Sequence, residues 1–363
     1  MLKLSKLVVK EGARRKVPRN DELKGAFGKV FSDHMLVAEW DGEWGAPRIE
    51  PFGDLKISPA ASSLHYALQC FEGMKAYRGD DDVIRLFRPD LNAARLNESL
   101  DRLAMPRVEN LVEAVGTLVS HDRRFVPSGD GFAAYLRPTV IATDPHLGVG
   151  PPNRCLFFAL LSPVGPYFPA GFNPIVVYAD TQYVRAWPGG CGGNKVGANY
   201  GPTILPQQLA ARRHGASQVL YCPDGRITEV GSMNFFAVVG DDLITPPLDM
   251  GDILPGVTRR SILDLAPDLG LNPVERPFHL EDLHEAARTG RLREVFGAGT
   301  AAIVAPIKAI VTDQGGTIST TATSVEGLGP VAGALFSRLT DIHYGRDPSH
   351  AHWTVPIVQP TKN

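Results

Sequence analysis

Lys195 stands in Pro188-Gly-Gly-Cys-Gly-Gly-Asn-Lys-Val-Gly-Ala-Asn-Tyr-Gly-Pro202, a segment so rich in glycine that the backbone must turn tightly around one amine. A lysine framed in this way is a candidate nucleophile. Thirty-four residues further on, Thr228-Glu-Val-Gly-Ser-Met-Asn234 holds a lone carboxylate, Glu229, between the turn Pro223-Asp-Gly225 and the apolar run from Phe235 to Val239. An amine facing a buried acid suits a ring cofactor that forms an imine and needs a carboxylate to keep its ring nitrogen protonated. A glycine-rich turn with a lysine is also an ordinary solvated loop, and these two segments alone leave both readings open.

Two further segments can hold an anion. In Asp252-Ile-Leu-Pro-Gly-Val-Thr-Arg-Arg-Ser-Ile-Leu-Asp-Leu265 the pair Pro255-Gly256 breaks the chain, and Val257, Ile262 and Leu265 then repeat at helical spacing. The free N–H groups of that first turn suit a phosphate ester. Phe296-Gly-Ala-Gly-Thr-Ala301 is a glycine-flanked hydroxyl at the end of a short strand, a second place for N–H groups to converge. Neither segment is a Walker loop, and the dinucleotide fingerprint is absent. One lysine, one acid and two anion sites favour a phosphorylated cofactor over a nucleotide, and pyridoxal phosphate matches all four.

Phe71-Glu-Gly-Met-Lys-Ala-Tyr-Arg78, the Lys195 segment through Tyr200-Gly-Pro-Thr203, Glu229-Val-Gly-Ser-Met-Asn234, Leu254-Pro-Gly-Val-Thr-Arg259 and Glu294-Val-Phe-Gly-Ala-Gly-Thr-Ala301 together resemble, in order, the motif series of branched-chain amino acid aminotransferases. The resemblance runs from about Phe27 to the C-terminal region. It implies an α/β (α+β) fold with the two-domain architecture of fold-type IV pyridoxal 5′-phosphate enzymes. By this resemblance Lys195 is the Schiff-base lysine, Glu229 pairs with the pyridine nitrogen and Tyr200 bonds the phenolate oxygen. Arg95 would hold the phosphate with the N–H groups of Val257 and Thr258 and the hydroxyl of Thr300. Ser232, Asn234, Leu254 and Gly256 belong to the same cofactor-binding set. Ser232 stands where a threonine is common and keeps the hydroxyl.

For substrates, the resemblance implies an apolar pocket lined by Phe27, Tyr66 and Tyr135, with Val149 on a loop that reaches the partner subunit of a homodimer. Arg137 follows Tyr135 by two residues on one strand face and is placed to receive the side-chain carboxylate of glutamate or 2-oxoglutarate. The N–H groups of Thr300 and Ala301 would take the α-carboxylate. The small-molecule partners are then leucine, isoleucine or valine and the matching 2-oxo acids, in ping-pong half reactions. Ala302 and Ala305 occupy the place where animal relatives carry a Cys-x-x-Cys pair, which excludes a thiol switch there. D-amino acid aminotransferases and aminodeoxychorismate lyases share the lysine and glutamate but are shorter and lack the combination of Phe71-Glu-Gly-Met74 and Asn199-Tyr-Gly-Pro202. A non-catalytic phosphate-binding protein is the rival of another class.

Composition sets outer limits. The 363 residues are long for one core, and domains at 1–163 (small, α/β) and 175–363 (larger, cofactor-binding) with a linker at 164–174 are expected, because Gly165-Pro-Tyr-Phe-Pro-Ala-Gly171 clusters chain breakers. With 37 Lys+Arg against 39 Asp+Glu the net charge is −2, so no basic field draws nucleic acid, and no apolar run is long enough to span a membrane. Cys70, Cys155, Cys191 and Cys222 are widely spaced with no paired motif, which suits a reducing compartment and argues against a zinc site or a disulfide framework, and no metal is expected. Met1 to Asn20 carries seven basic residues against one acid, Glu11. It reads as a solvated arm of a cytoplasmic protein, with a mitochondrial presequence as the alternative.

The elements that must position these groups follow from periodicity. The pattern predicts a hairpin of Met35–Trp44 with Arg48–Phe52, a helix from Leu64 to Met74 leading to a Tyr77 strand, and an Asp90-capped helix Leu91–Met105 with Leu96, Leu100 and Leu103 inward. A helix at Leu111–Phe125 and strands at Phe132–Ala142 and Cys155–Leu161 complete the first half. Strands at Ile175–Ala179, Val219–Cys222, Phe235–Val239 and Glu294–Phe296 and helices near Pro202–His214, Thr258–Leu269 and Glu281–Arg288 make up the second. Arg95 lies one position off the apolar stripe of its helix and, taken alone, reads as a surface residue.

Overall fold

The computed structural model describes residues 1–167, 173–312, 316–319 and 327–358. The chain forms two compact units, Met1–Pro169 with Asn194–Ala198 and Thr340–Asn363, and Ala170–Gly193 with Asn199–Leu339. Among the described residues, each unit is built on a nine-stranded sheet. The expected linker at 164–174 includes residues 168–172, which lie outside the described residues. The sequence-based division differs at the C-terminal end, because Thr354–Pro356 pairs antiparallel with Ile84–Phe87 of the first sheet.

In the first unit the strand order is Val8–Val9, Arg48–Pro51, His34–Trp40, Cys155–Val164, Ala133–Ala142, Met74–Arg78, Ile84–Phe87, Thr354–Pro356, and Gln69–Phe71 adds to Ala133–Ala142. The expected hairpin forms, with Leu36 opposite Ile49. Helices Pro89–Arg102 and Leu111–His121 bury Leu96, Leu100, Leu111, Val115, Leu118 and Val119 completely. Each such side chain contributes about 1.5–3 kcal/mol.

Three expectations are corrected here. The helix predicted for Leu64–Met74 is only Ser62–Tyr66, because Ala67 turns left-handed at φ 51° and the chain then enters Gln69–Phe71, paired with Thr139–Ile141. Asp90 does not cap its helix: Arg88 is the N-cap residue, without a side-chain cap bond, and Pro89 supplies the preset first turn. The N-terminal segment is not a free solvated arm, since Leu2 is 1% exposed and exchanges two hydrogen bonds with Asn110, and Val8–Val9 pair parallel with Arg48–Ile49.

In the second unit the order is Glu229–Val230, Gln218–Tyr221, Ile175–Asp180, Ile303–Val311, Leu292–Gly299, Met233–Val239, Asp242–Thr245, Asn272–Glu275. Glu229–Val230 also pairs with Met233–Val239, so six of these strands close a ring of ladders. Its inner side packs Val177, Leu220, Val230, Phe235, Ala237, Val295, Ile307 and Ile310, all buried. Helix Ile204–His214 covers Val219 and Tyr221 through Ala210. Helix Val257–Leu265 starts on Gly256 as expected, with Val257, Ile262 and Leu265 buried. Helix Pro330–His343, absent from the sequence expectations, is capped from a strand: both carboxylate oxygens of Glu294 accept N–H groups, from Val331 at 2.7 Å and Ala332 at 2.9 Å.

Candidate functional site

The first unit gathers Lys195, Arg95, Phe27, Tyr135 and Arg137 around the segment Phe71-Glu-Gly73. Lys195 is fixed through its backbone: its carbonyl accepts from the Phe71 N–H at 3.1 Å, and its N–H donates to the Ser99 hydroxyl at 2.8 Å. Its Nζ lies 5.0 Å from the Phe71 ring centre, within cation–π range. The Arg137 guanidinium lies 4.7 Å from the same ring, so an amine and a guanidinium share one aromatic side chain.

Strand Ala133–Ala142 aims Tyr135 and Arg137 to one side, and Arg137 Nη2 donates to the Tyr135 hydroxyl at 3.0 Å. The buried Nε–H of Arg137 has no hydrogen-bond partner among the described residues, which leaves a buried donor open. Phe27 meets Tyr135 edge to face at 4.9 Å. Gly73 is required by this packing, since a Cβ there would lie 2.0 Å from the Tyr135 hydroxyl. Tyr66, 41% exposed, donates its hydroxyl to the Leu147 carbonyl, and Val149, two residues beyond, is 78% exposed.

Arg95 is a buried residue and not the surface arginine its helix position suggested: it is 5% exposed and grips Glu72 with two bonds, Nε to Oε1 at 2.7 Å and Nη2 to Oε2 at 2.9 Å. Glu72, wholly buried, also accepts from Asn92 at 2.8 Å and from the Gly73 N–H at 3.0 Å. Burial pushes the Glu72 carboxyl upward, but the Arg95 charge and bonds, then Lys195 and Asn92, hold it below the ordinary carboxylate range. Glu72, Asn92 and Ser99 therefore position the two cations. Glu72 lay inside a motif already in view, but nothing in the string marked it as the partner of Arg95.

The second unit gathers Glu229, Asn234, Leu254, Gly256, Val257 and Thr258. Glu229 and Asn234 face each other across a two-residue ladder, and Asn234 Nδ2 donates to Glu229 Oε1 at 3.1 Å and to the Leu254 carbonyl at 2.8 Å. The Leu254 N–H donates back to the same carboxylate oxygen at 3.1 Å. Glu229 is thus 3% exposed yet held from two sides. It is not a lone carboxylate: Arg185 forms an ion pair with it and donates through Nη2 to the carbonyls of Gly192 and Asp252. Arg185 carried no periodic or motif signal in the sequence.

A Cβ at Gly256 would lie 2.0 Å from Asn234 Oδ1, so only glycine lets the helix start Val257–Thr258 approach this cluster. No side chain caps that start, which leaves its N–H groups for an anion. Thr300 and Ala301 form the tight turn between paired strands Leu292–Gly299 and Ile303–Val311, and Ala298 of that hairpin lies opposite Asn234. Ser232 leads into the strand Met233–Val239, and Tyr200 precedes the turn Gly201–Thr203, accepting from Thr203 through its carbonyl. The second unit holds a buried carboxylate, an uncapped helix start and a glycine-flanked hydroxyl, and the first unit holds a lysine and a buried arginine.

This fold and these groups define a class IV aminotransferase, and residues 69–310 match the family described as amino-transferase class IV. The "Branched-chain-amino-acid aminotransferase, cytosolic" of Saccharomyces cerevisiae is 44% identical over 351 residues, 92% of this chain and 92% of that protein. The mitochondrial enzyme of the same name from Bos taurus is 49% identical over 298 residues, 78% of this chain and 75% of its own. The crystal structure of the T.th. branched-chain amino acid aminotransferase with pyridoxamine 5′-phosphate superposes with a TM-score of 0.72 at 25% identity, covering 89% of this chain and 98% of that one. The chain belongs to the branched-chain-amino-acid aminotransferases.

Proposed function

We propose that this chain transfers the amino group reversibly between leucine, isoleucine or valine and 2-oxoglutarate, in two half reactions through one lysine. Its cofactor is pyridoxal 5′-phosphate, which when bound supplies an aldehyde for amine exchange and a ring that accepts the electron pair released with the α-proton. Lys195 moves that proton to and from the substrate α-carbon. Glu229 holds the ring nitrogen's proton, and Arg185, Asn234 and the Leu254 N–H keep its carboxylate oriented. Arg95, set by Glu72, takes the phosphate with the N–H groups of Val257 and Thr258 and the Thr300 hydroxyl, and Tyr200 takes the phenolate oxygen. The N–H groups of Thr300 and Ala301 take the α-carboxylate.

The observation that carries the reading is the Phe71 ring with Lys195 Nζ at 5.0 Å and Arg137 at 4.7 Å, beside Tyr135 and Phe27. Aromatic walls serve an aliphatic side chain, and the open Arg137 donor serves an acidic one. We place the chain as a homodimer, with Leu147 and Val149, 62% and 78% exposed, covered by the partner subunit. No helix among the described residues is long and apolar enough to cross a membrane. The cytoplasm is the proposed compartment, in keeping with four free cysteines. The test is leucine-dependent formation of glutamate from 2-oxoglutarate by the pyridoxal phosphate-loaded protein. Activity with D-alanine and none with leucine would overturn the substrate assignment.

A further inference from the structure

The single acid of the basic N-terminal segment meets two histidines of the first unit. One carboxylate oxygen of Glu11 and one ring nitrogen each of His34 and His121 lie within 4.8 Å of one another. His34 begins a central strand and is 5% exposed. Its Nδ1 is 2.7 Å from Asp122 Oδ1, and its backbone N–H donates to Asp122 Oδ2 at 2.9 Å. An ionised carboxylate can only accept, so in the neutral tautomer that suits this bond Nδ1 carries the proton and Nε2 keeps its lone pair. That Nε2 is buried and has no hydrogen-bond partner among the described residues. A buried acceptor without a donor is costly to maintain. A histidine whose other nitrogen is anchored on a carboxylate is also how metal-binding histidines are oriented.

His121, the last residue of its helix, stands edge-on to the His34 ring with centroids 4.6 Å apart, and is half-buried. It also lines an apolar groove of about 840 Å³ with Val9, Ile49, Ser120 and Ile357, which gives an ion and its water a way in. Asp33 is close to His34 but is committed, accepting from the Arg15 N–H and paired with Arg124. Asp122 is held by His34, so Glu11 remains the acid available to a cation.

We propose that Glu11, His34 and His121 form a binding site for a divalent transition metal, with Zn²⁺ as the best match and water as fourth ligand. Two neutral imidazoles and one carboxylate are the ligand set of open tetrahedral zinc sites, and imidazole nitrogen selects against Mg²⁺ and Ca²⁺. At bond lengths of about 2.0–2.1 Å tetrahedral ligand atoms sit roughly 3.3 Å apart. The groups, within 4.8 Å, therefore close by at most about 1.5 Å, through rotation of the exposed Glu11 and the half-buried His121, while Asp122 holds His34 fixed. The ion would tie the N-terminal segment to the sheet and to the end of helix Leu111–His121. None of its three ligands is among the residues assigned to transamination.

The test is a Zn²⁺ titration of chelator-washed, pyridoxal phosphate-loaded full-length protein, competed against a chromophoric chelator. The expected result is one tight equivalent per chain, weakened at least tenfold in Glu11→Gln and in His121→Ala and unchanged in His352→Ala, with leucine turnover the same in all four. Zn²⁺ should also raise the melting temperature of the wild type and not that of Glu11→Gln. Glu11 is exposed, so Glu11→Gln carries the test even where His121→Ala folds poorly. No stoichiometric binding, or equal affinity in wild type, Glu11→Gln and His121→Ala, overturns the proposal.

Discussion

Replacing Glu72 with glutamine separates the role of Arg95 in folding from its role toward the cofactor. The carboxylate is wholly buried and accepts four hydrogen bonds: two from Arg95 at 2.7 and 2.9 Å, one from Asn92 at 2.8 Å and one from the Gly73 N–H at 3.0 Å. The amide keeps the shape, but its NH₂ faces donors, and the buried Arg95 loses the carboxylate that it grips. Breaking a buried ion pair from one side costs about 3–5 kcal/mol. At roughly 2–4 °C per kcal/mol for a unit of this size, the cofactor-free protein should melt about 6–20 °C lower. If Arg95 faces the cofactor phosphate, saturating pyridoxal phosphate restores an anion to it and recovers about 1.5–3 kcal/mol, the worth of a charged hydrogen bond. Differential scanning fluorimetry of wild type and Glu72→Gln, each with and without cofactor, measures the four temperatures. A melting gap that is as wide with cofactor as without it refutes the placement of Arg95 against the phosphate.

Arg137→Met should slow the single-turnover half reaction with glutamate far more than that with leucine, because only the acidic side chain needs the open Arg137 donor; equal losses would assign Arg137 to the shared α-carboxylate. Glu229→Gln should bind cofactor and lose turnover, and because it strips Arg185 of its buried counter-charge it should also lower the unfolding free energy by about 3 kcal/mol or more, read by urea unfolding. Burial, and the Lys75 charge behind it, push the His343 imidazole down from 6.5 to about 3, where its ring stacks on Tyr77 at 4.3 Å. The unfolded chain takes up this proton as pH falls below 6.5 and the folded chain does not until about 3, so stability present above 6.5 is lost through that window, by roughly 2–3 kcal/mol at pH 4.5. His343→Phe should remove that part of the acid sensitivity, measured as the difference in urea midpoint between pH 7 and 4.5; an unchanged pH slope would place the proton uptake elsewhere.

Much of the fold was legible where one periodicity ruled. Helix Leu111–His121 and strands Ala133–Ala142 and Cys155–Val164 repeat at 3.6 or run continuously apolar, and they lie within a few residues of expectation. The segment Leu64–Met74 misled because Leu64, Leu68 and Phe71 mimic a helical stripe, whereas Ala67 takes a positive φ that alanine composition does not announce. Of the candidate site, glycine spacing singled out Lys195, Glu229 and the start at Val257, since close backbone approach leaves a local mark. Glu72 and Arg185 were missed because an ion-pair partner is chosen in three dimensions: Glu72 meets Arg95 across 23 positions and Arg185 meets Glu229 in a separate strand. Glu294, read as part of a motif, proved to be the cap of the helix Pro330–His343.

The central claim is that Lys195 carries the cofactor. The absorbance spectrum of the purified, cofactor-loaded protein, followed by borohydride reduction and mass spectrometry of its peptides, tests it directly. The account predicts a yellow protein that is bleached by reduction, with a phosphopyridoxyl group fixed on Lys195 and neither colour nor label in Lys195→Ala. A label on another lysine, such as the buried Lys75, or full leucine-dependent turnover by Lys195→Ala, would contradict it.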